Sequence, residues 1–108
     1  MSAARWQRLV DDLAAAGVES SVLDKPYTES VYGCVHHGVS RSITMLHPVS
    51  GIISISDRQW SKNPDVWVGW QVFREGRDSI VIRTWPITKK RSDVVAHVLE
   101  AFNTEDRT

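Results

Sequence analysis

The sequence contains one cysteine, Cys34, and no long run of apolar residues. A single cysteine excludes an internal disulfide and a zinc site built from several cysteines, and it fits a reducing compartment. No apolar stretch approaches the roughly 20 residues that a membrane-spanning helix needs. Charged residues recur through the N-terminal stretch MSAARWQRLVDDL, so it lacks the uninterrupted core of a signal peptide. We therefore expect a cytoplasmic protein that does not insert into a membrane.

An excess of charge of either sign is also absent, because 13 basic side chains balance 13 acidic ones. Any field that guides a charged partner must then come from a local patch. The glycines are scattered and form no phosphate-binding loop, which argues against nucleotide hydrolysis. With 108 residues, of which 42% are hydrophobic, the chain predicts one domain over residues 1–108 that folds without a disulfide, metal or cofactor.

The stretch 65–87, DVWVGWQVFREGRDSIVIRTWPI, carries the clearest structural signal. Its apolar residues alternate with a period of two, which predicts a β-hairpin whose polar turn spans residues 74–78. Strict alternation places Trp70 on one face of the sheet. The same alternation places Trp67, Phe73 and Trp85 on the other.

The remaining pattern predicts two helices flanking a set of short strands. A helix at about residues 3–16 is followed by a connector at 19–30, strands at 31–36, 41–46 and 52–56, a turn at 37–40 and a polar loop at 57–64. Ser92 is a plausible N-cap of the second helix, and residues 103–108 are expected to fray. The short connections favour an antiparallel meander. The predicted fold is an α+β two-layer sandwich of about five antiparallel strands, with the N- and C-terminal helices on one face (α-β5-α).

One layer of helices covers only one face of such a sheet. An exposed aromatic face would then remain, with Trp67, Trp70, Phe73 and Trp85 as candidate protein-binding residues. The alternative is a curled sheet that encloses the aromatic residues of both faces in one core. Our hypothesis is a non-enzymatic binding module that forms a homodimer or binds another protein.

Basic residues precede the second helix, and they suggest a second function. Lys89, Lys90 and Arg91, with Arg83 on the strand before them, could bind an anion or nucleic acid. An ordinary solvated turn is the alternative interpretation.

The sequence supports a catalytic function less than it supports a binding function. Cys34 with His36 or His47 could form a thiol or metal site, but no zinc-ligand spacing is present. We expect a buried cysteine beside surface histidines, and we predict no catalytic and no metal-binding residue.

Two resemblances add to these expectations. The stretches RWQRLVDDLAAAGVES and SDVVAHVLEAFNTEDR resemble those of small accessory proteins of actinobacterial phages, which implies an intracellular protein that acts on host or phage machinery by binding it. The order of helix, antiparallel strands and basic final helix loosely resembles the double-stranded RNA-binding domain. That likeness implies phosphate contacts by Lys89, Lys90 and Arg91.

Overall fold

A computed structural model describes residues 3–47, 51–60, 62–78 and 80–103. Two helices flank five strands in chain order. The elements are α1 (Ala3–Ala15), β1 (Val22–Val31), β2 (Cys34–Leu46), β3 (Ile52–Trp60), β4 (Asn63–Glu75), β5 (Val81–Thr84) and α2 (Arg91–Asn103).

The strands form one antiparallel meander in the order β1-β2-β3-β4-β5. A one-residue sixth segment joins it at Thr88, which pairs with Trp70. Both helices pack on one face, and the core between the layers is apolar. Its members are Trp6, Leu9, Leu13, Val18, Ile43, Met45, Ile53, Ile55, Trp70, Val72, Trp85, Val94, Val98 and Ala101. The predicted α+β class, antiparallel sheet and terminal helices are confirmed.

Helix α1 agrees with its apolar spacing, since Trp6, Leu9 and Leu13 are all buried. It ends at Gly17, whose φ of 88° is left-handed. The N–H of Val18 donates to the carbonyl of Leu13 at 2.9 Å, and this bond closes the last turn of the helix.

The prediction was wrong for the first hairpin. Residues 19–30 do not form a connector throughout, because β1 begins at Val22 and pairs with β2 over its whole length. The expected turn at 37–40 lies inside β2, so two predicted strands are parts of this hairpin. Pro26 argues only against a continuous helix in this segment, and an edge strand tolerates proline because one of its sides needs no N–H donors.

The polar loop expected at 57–64 was also wrong in part. Strand β3 continues to Trp60 and β4 begins at Asn63, so most of this segment is paired. Arg74, which was expected in a turn, lies in β4 and is buried beneath the helices.

A β-bulge in β4 changes the predicted faces. Arg58 pairs with Gly69 and Gln59 pairs with Trp67, so Val68 is the extra residue between them. The extra residue inverts the alternation on one side of the bulge. Trp67 and Trp70 therefore point to the same face, although strict alternation assigned them to opposite faces.

Helix α2 begins at Arg91, and the N–H of Val94 donates to the carbonyl of Lys90 at 3.2 Å. Ser92 therefore lies in the first turn and is not the N-cap. The buried stripe is Val94, Val98 and Ala101, whereas Leu99 is 37% exposed. Most of the expected frayed tail, at 104–108, lies outside the described residues.

Candidate protein-binding surface

The predicted aromatic anchors do not share an exposed face. Trp70 and Trp85 are buried at 1% and 3% exposure. Trp67 is half-buried and meets Trp70 edge to face, with ring centroids 5.0 Å apart. The guanidinium of Arg5 lies 4.6 Å from the Trp67 ring centroid and covers part of that ring. These three indoles therefore pack within the fold.

Only Phe73 of the four lies on the face of the sheet away from the helices. It is half-buried, stands opposite Ser54, and has the Arg58 guanidinium 5.7 Å from its ring centroid. Polar pairs surround it, including Ser42 opposite Ser56. The centre of this face is polar and needs no covering layer.

The predicted basic cluster divides into paired and unpaired members. Arg83 donates to the Glu100 carboxylate at 2.6 Å, and its guanidinium lies 4.5 Å from the Trp85 ring centroid. Arg91 forms an ion pair with Asp12 at 3.2 Å. Lys89 and Lys90 are exposed, and within the described residues neither ammonium group has an acidic partner.

The Arg83 pair has an electrostatic consequence for helix α2. The hydrogen bond from Arg83 lowers the pKa of Glu100 below its usual value of 4.5, with a smaller contribution from the Trp85 side chain. The ionised form of Glu100 is therefore the one that joins β5 to α2.

Cys34 and His47 do not come together in a site. Cys34 is exposed at the start of β2, and was expected to be buried. His47 is buried just beyond the other end of that strand, where its Nε2 donates to the Ala101 carbonyl at 3.2 Å. Cys34 is the first of the 13 residues of β2 and His47 follows the last, so about 40 Å of strand separates the two. The His36 side chain lies outside the described part, and the described residues contain no cluster of three or more potential metal ligands.

The structure instead presents a hairpin that extends beyond the sheet. Strand β2 pairs with β3 only from Ser42 to Leu46, so residues 24–41 pair only within their own hairpin. We term residues 24–41 the projecting hairpin. At about 3.3 Å per residue, its β2 arm from Cys34 to Arg41 is about 26 Å long. The radius of gyration, 14.7 Å, exceeds the roughly 13 Å of a compact chain of this length, as such a projection requires.

Cross-strand contacts hold the projecting hairpin in register. Arg41 donates to Asp24 at 3.0 Å at its base, and Thr28 Oγ1 and His37 Nδ1 share a hydrogen bond of 3.2 Å. The Tyr27 ring lies across Gly38, where a Cβ atom would come within 2.5 Å of the ring.

Apolar side chains on the projecting hairpin face solvent. Val35 and Val39 are 58% and 60% exposed on the face that also carries Pro26. The tip is the two-residue turn Tyr32-Gly33, with φ of 50° and 77°, as a type I′ turn requires. The Tyr32 side chain is fully exposed.

Sequence reasoning missed this surface because β1 is exposed on both faces and has no apolar alternation to detect. The available signal was Tyr32-Gly33, which links two segments of β-branched and polar residues as a short hairpin turn.

No family model, curated protein or solved structure matches the chain. Among the described helices, none has both the length and the apolar character needed to cross a membrane.

Proposed function

We propose that this protein is a small non-enzymatic binding module that docks onto a protein partner through its projecting hairpin. The tryptophans that were expected to anchor a partner stabilise the core instead, because Trp70 and Trp85 offer almost no accessible surface. We assign docking to the exposed apolar side chains of the projecting hairpin.

Tyr32 is the observation that carries the proposal. A left-handed conformation costs a residue other than glycine about 1–2 kcal/mol. The fully exposed ring gains no burial within the chain that would offset this cost. Conformational strain that no contact within the fold offsets is characteristic of functional positions.

The isolation of the hairpin supports the same conclusion. A two-stranded hairpin without a covering layer is marginally stable in water, and exposed Val35 and Val39 add apolar surface that is not buried. A protein surface with apolar character would bury both valines and the tip tyrosine together. The resemblance to phage accessory proteins suggests host or phage machinery as that partner, and its identity and the cytoplasmic location stay predictions.

The test compares two doubly substituted chains. Val35→Lys with Val39→Lys alters the projecting hairpin, and Ile80→Lys with Val81→Lys makes the same chemical change near the β5 edge, where the residues are 63% and 47% exposed. Exposed substitutions should change the free energy of unfolding by less than about 0.5 kcal/mol in both chains. Size-exclusion chromatography of extracts from producing cells, with detection of the tagged chain, then reports the size of its complexes.

We expect the wild-type chain and the β5 variant to elute in complexes much larger than the 12.2 kDa monomer, and the hairpin variant to elute in smaller ones. Equal elution of both variants, or a wild-type chain that elutes only as a monomer, would overturn the proposal.

Nucleic-acid binding is the second candidate, favoured by the exposure of Lys89 and Lys90 without acidic partners. Phosphate contacts would make the affinity for a duplex fall steeply with added salt. Fluorescence anisotropy should then show weaker binding for Lys89→Gln with Lys90→Gln. Salt-independent binding, or none, would exclude this candidate.

A further inference from the structure

Strand β1 is an edge strand of ten residues, and one side of its backbone is unpaired within the described structure. In a hairpin with a two-residue turn, the pair next to the turn exchanges two hydrogen bonds, and hydrogen-bonded pairs then alternate along the strands. Counted from Val31 and Cys34, this alternation makes Pro26 and Val39 a non-hydrogen-bonded pair. The backbone groups of Asp24, Pro26, Thr28 and Ser30 therefore point to the free edge.

The charges beside this edge are symmetric about Tyr27. Lys25 precedes Tyr27 by two residues and Glu29 follows it by two, so all three side chains lie on one face. Lys25 and Glu29 are exposed, and within the described residues neither has an ion-pair partner. In an antiparallel pair with Tyr27 opposite Tyr27, each lysine stands directly opposite the glutamate of the other strand.

We infer that two copies of this chain associate through their β1 edges, antiparallel, with Tyr27 on the two-fold axis. This inference goes beyond the proposed function, because paired β1 edges do not cover Val35 and Val39, which lie on β2. A shift of two residues in either direction would place Lys25 opposite Tyr27 or Val31 and would lose both ion pairs. The charge pattern therefore selects one register.

The local structure accommodates this pairing. In this register Pro26 stands opposite Thr28 of the other copy, whose N–H donates to the Pro26 carbonyl, and only the bond that needs a Pro26 N–H is lost. The Tyr27 ring lies over Gly38 of its own hairpin, which directs it away from the free edge. Two such edges can therefore approach without a clash between the tyrosines.

Complementary charge reversals test the register. Lys25→Glu leaves glutamate at both positions, and Glu29→Lys leaves lysine at both, so either variant alone opposes like charges twice. We expect each to dimerise roughly tenfold or more weakly than the wild-type chain in light scattering across a concentration series. A mixture of the two restores both attractive pairs and should form a heterodimer about as strongly as the wild-type chain dimerises.

A matched pair controls for net charge. Lys62→Glu and Asp11→Lys, both at exposed positions away from β1, carry the same overall charge changes and should each dimerise like the wild-type chain. Circular dichroism should show the wild-type fold in all four variants.

Three outcomes would overturn the inference: a wild-type chain that is monomeric at every concentration, reversals without effect, or a mixture that does not recover. None of these outcomes tests the proposed function. The extract assay tests it separately, because it detects a complex of the projecting hairpin with any protein.

Discussion

Trp67 and Trp70 lie three residues apart on one strand, yet their rings meet on one face of the sheet at an angle of 82°. A regular strand would place them on opposite faces. The extra residue Val68 brings them together, and Trp6 of α1 then packs against Trp70 at a centroid distance of 6.4 Å. The bulge thus moves an indole from the open face to the helix layer. For that reason Trp67 cannot belong to the exposed face that strict alternation predicts.

Gly69 makes the bulge possible, and its substitution should be costly. Its φ is 140°, and a Cβ atom there would lie 2.6 Å from the Thr88 carbonyl oxygen. We expect Gly69→Ala to lower the free energy of unfolding by at least about 2 kcal/mol, through backbone strain and steric overlap. Gly17→Ala is the control, because its φ is also positive but its Cβ would meet open space, so its cost should be about 1 kcal/mol. If urea denaturation gave equal losses of unfolding free energy for the two variants, the close approach to Thr88 would not contribute to the cost at Gly69.

The sequence predicted those parts of the fold in which one face is buried. The spacing of Trp6, Leu9 and Leu13 identified α1, and the alternation in 65–87 identified the β4–β5 hairpin. It missed β1, since a strand exposed on both faces has no burial pattern. It also misassigned Trp67, although a glycine inside a strand pattern is itself a signal of a bulge.

The candidate site was less predictable than the fold. Aromatic content pointed to the tryptophans, but which of them are accessible depends on the bulge and on where Trp85 follows β5. The exposure of Tyr32, Val35 and Val39 follows from the divergence of β2 from β3 on the N-terminal side of Ser42. No pattern in the local sequence predicts where the two strands diverge.

The ion pair between Arg83 and Glu100 should give a pH dependence. Because the folded-state pKa of Glu100 lies below 4.5, its contribution to stability is present above about pH 4.5 and is lost as the pH falls through the lowered folded-state value. Arg83→Gln should raise the pKa of Glu100 back toward 4.5 in an NMR titration of its carboxyl group. An unchanged titration would show that the pair does not persist in solution.

Replacing Tyr32 should stabilise the projecting hairpin and weaken its association with a partner. Asparagine tolerates the left-handed conformation better than tyrosine does. We expect Tyr32→Asn to raise the free energy of local opening of the projecting hairpin by about 0.5–1 kcal/mol, measured by amide hydrogen exchange of residues 24–41. The same substitution should weaken complex formation in the extract assay. A less stable hairpin would mean that the ring makes contacts within the fold.

Site-specific photo-crosslinking in producing cells tests most directly whether the projecting hairpin is the docking element. A benzophenone amino acid replaces Tyr32 in one chain and, as the control, exposed Ile80 in another. We predict crosslinked protein adducts from position 32 and few from position 80, and the adduct mass distinguishes a second copy from a different protein. Adducts from position 80 alone, or equal yields from both positions, would contradict this prediction.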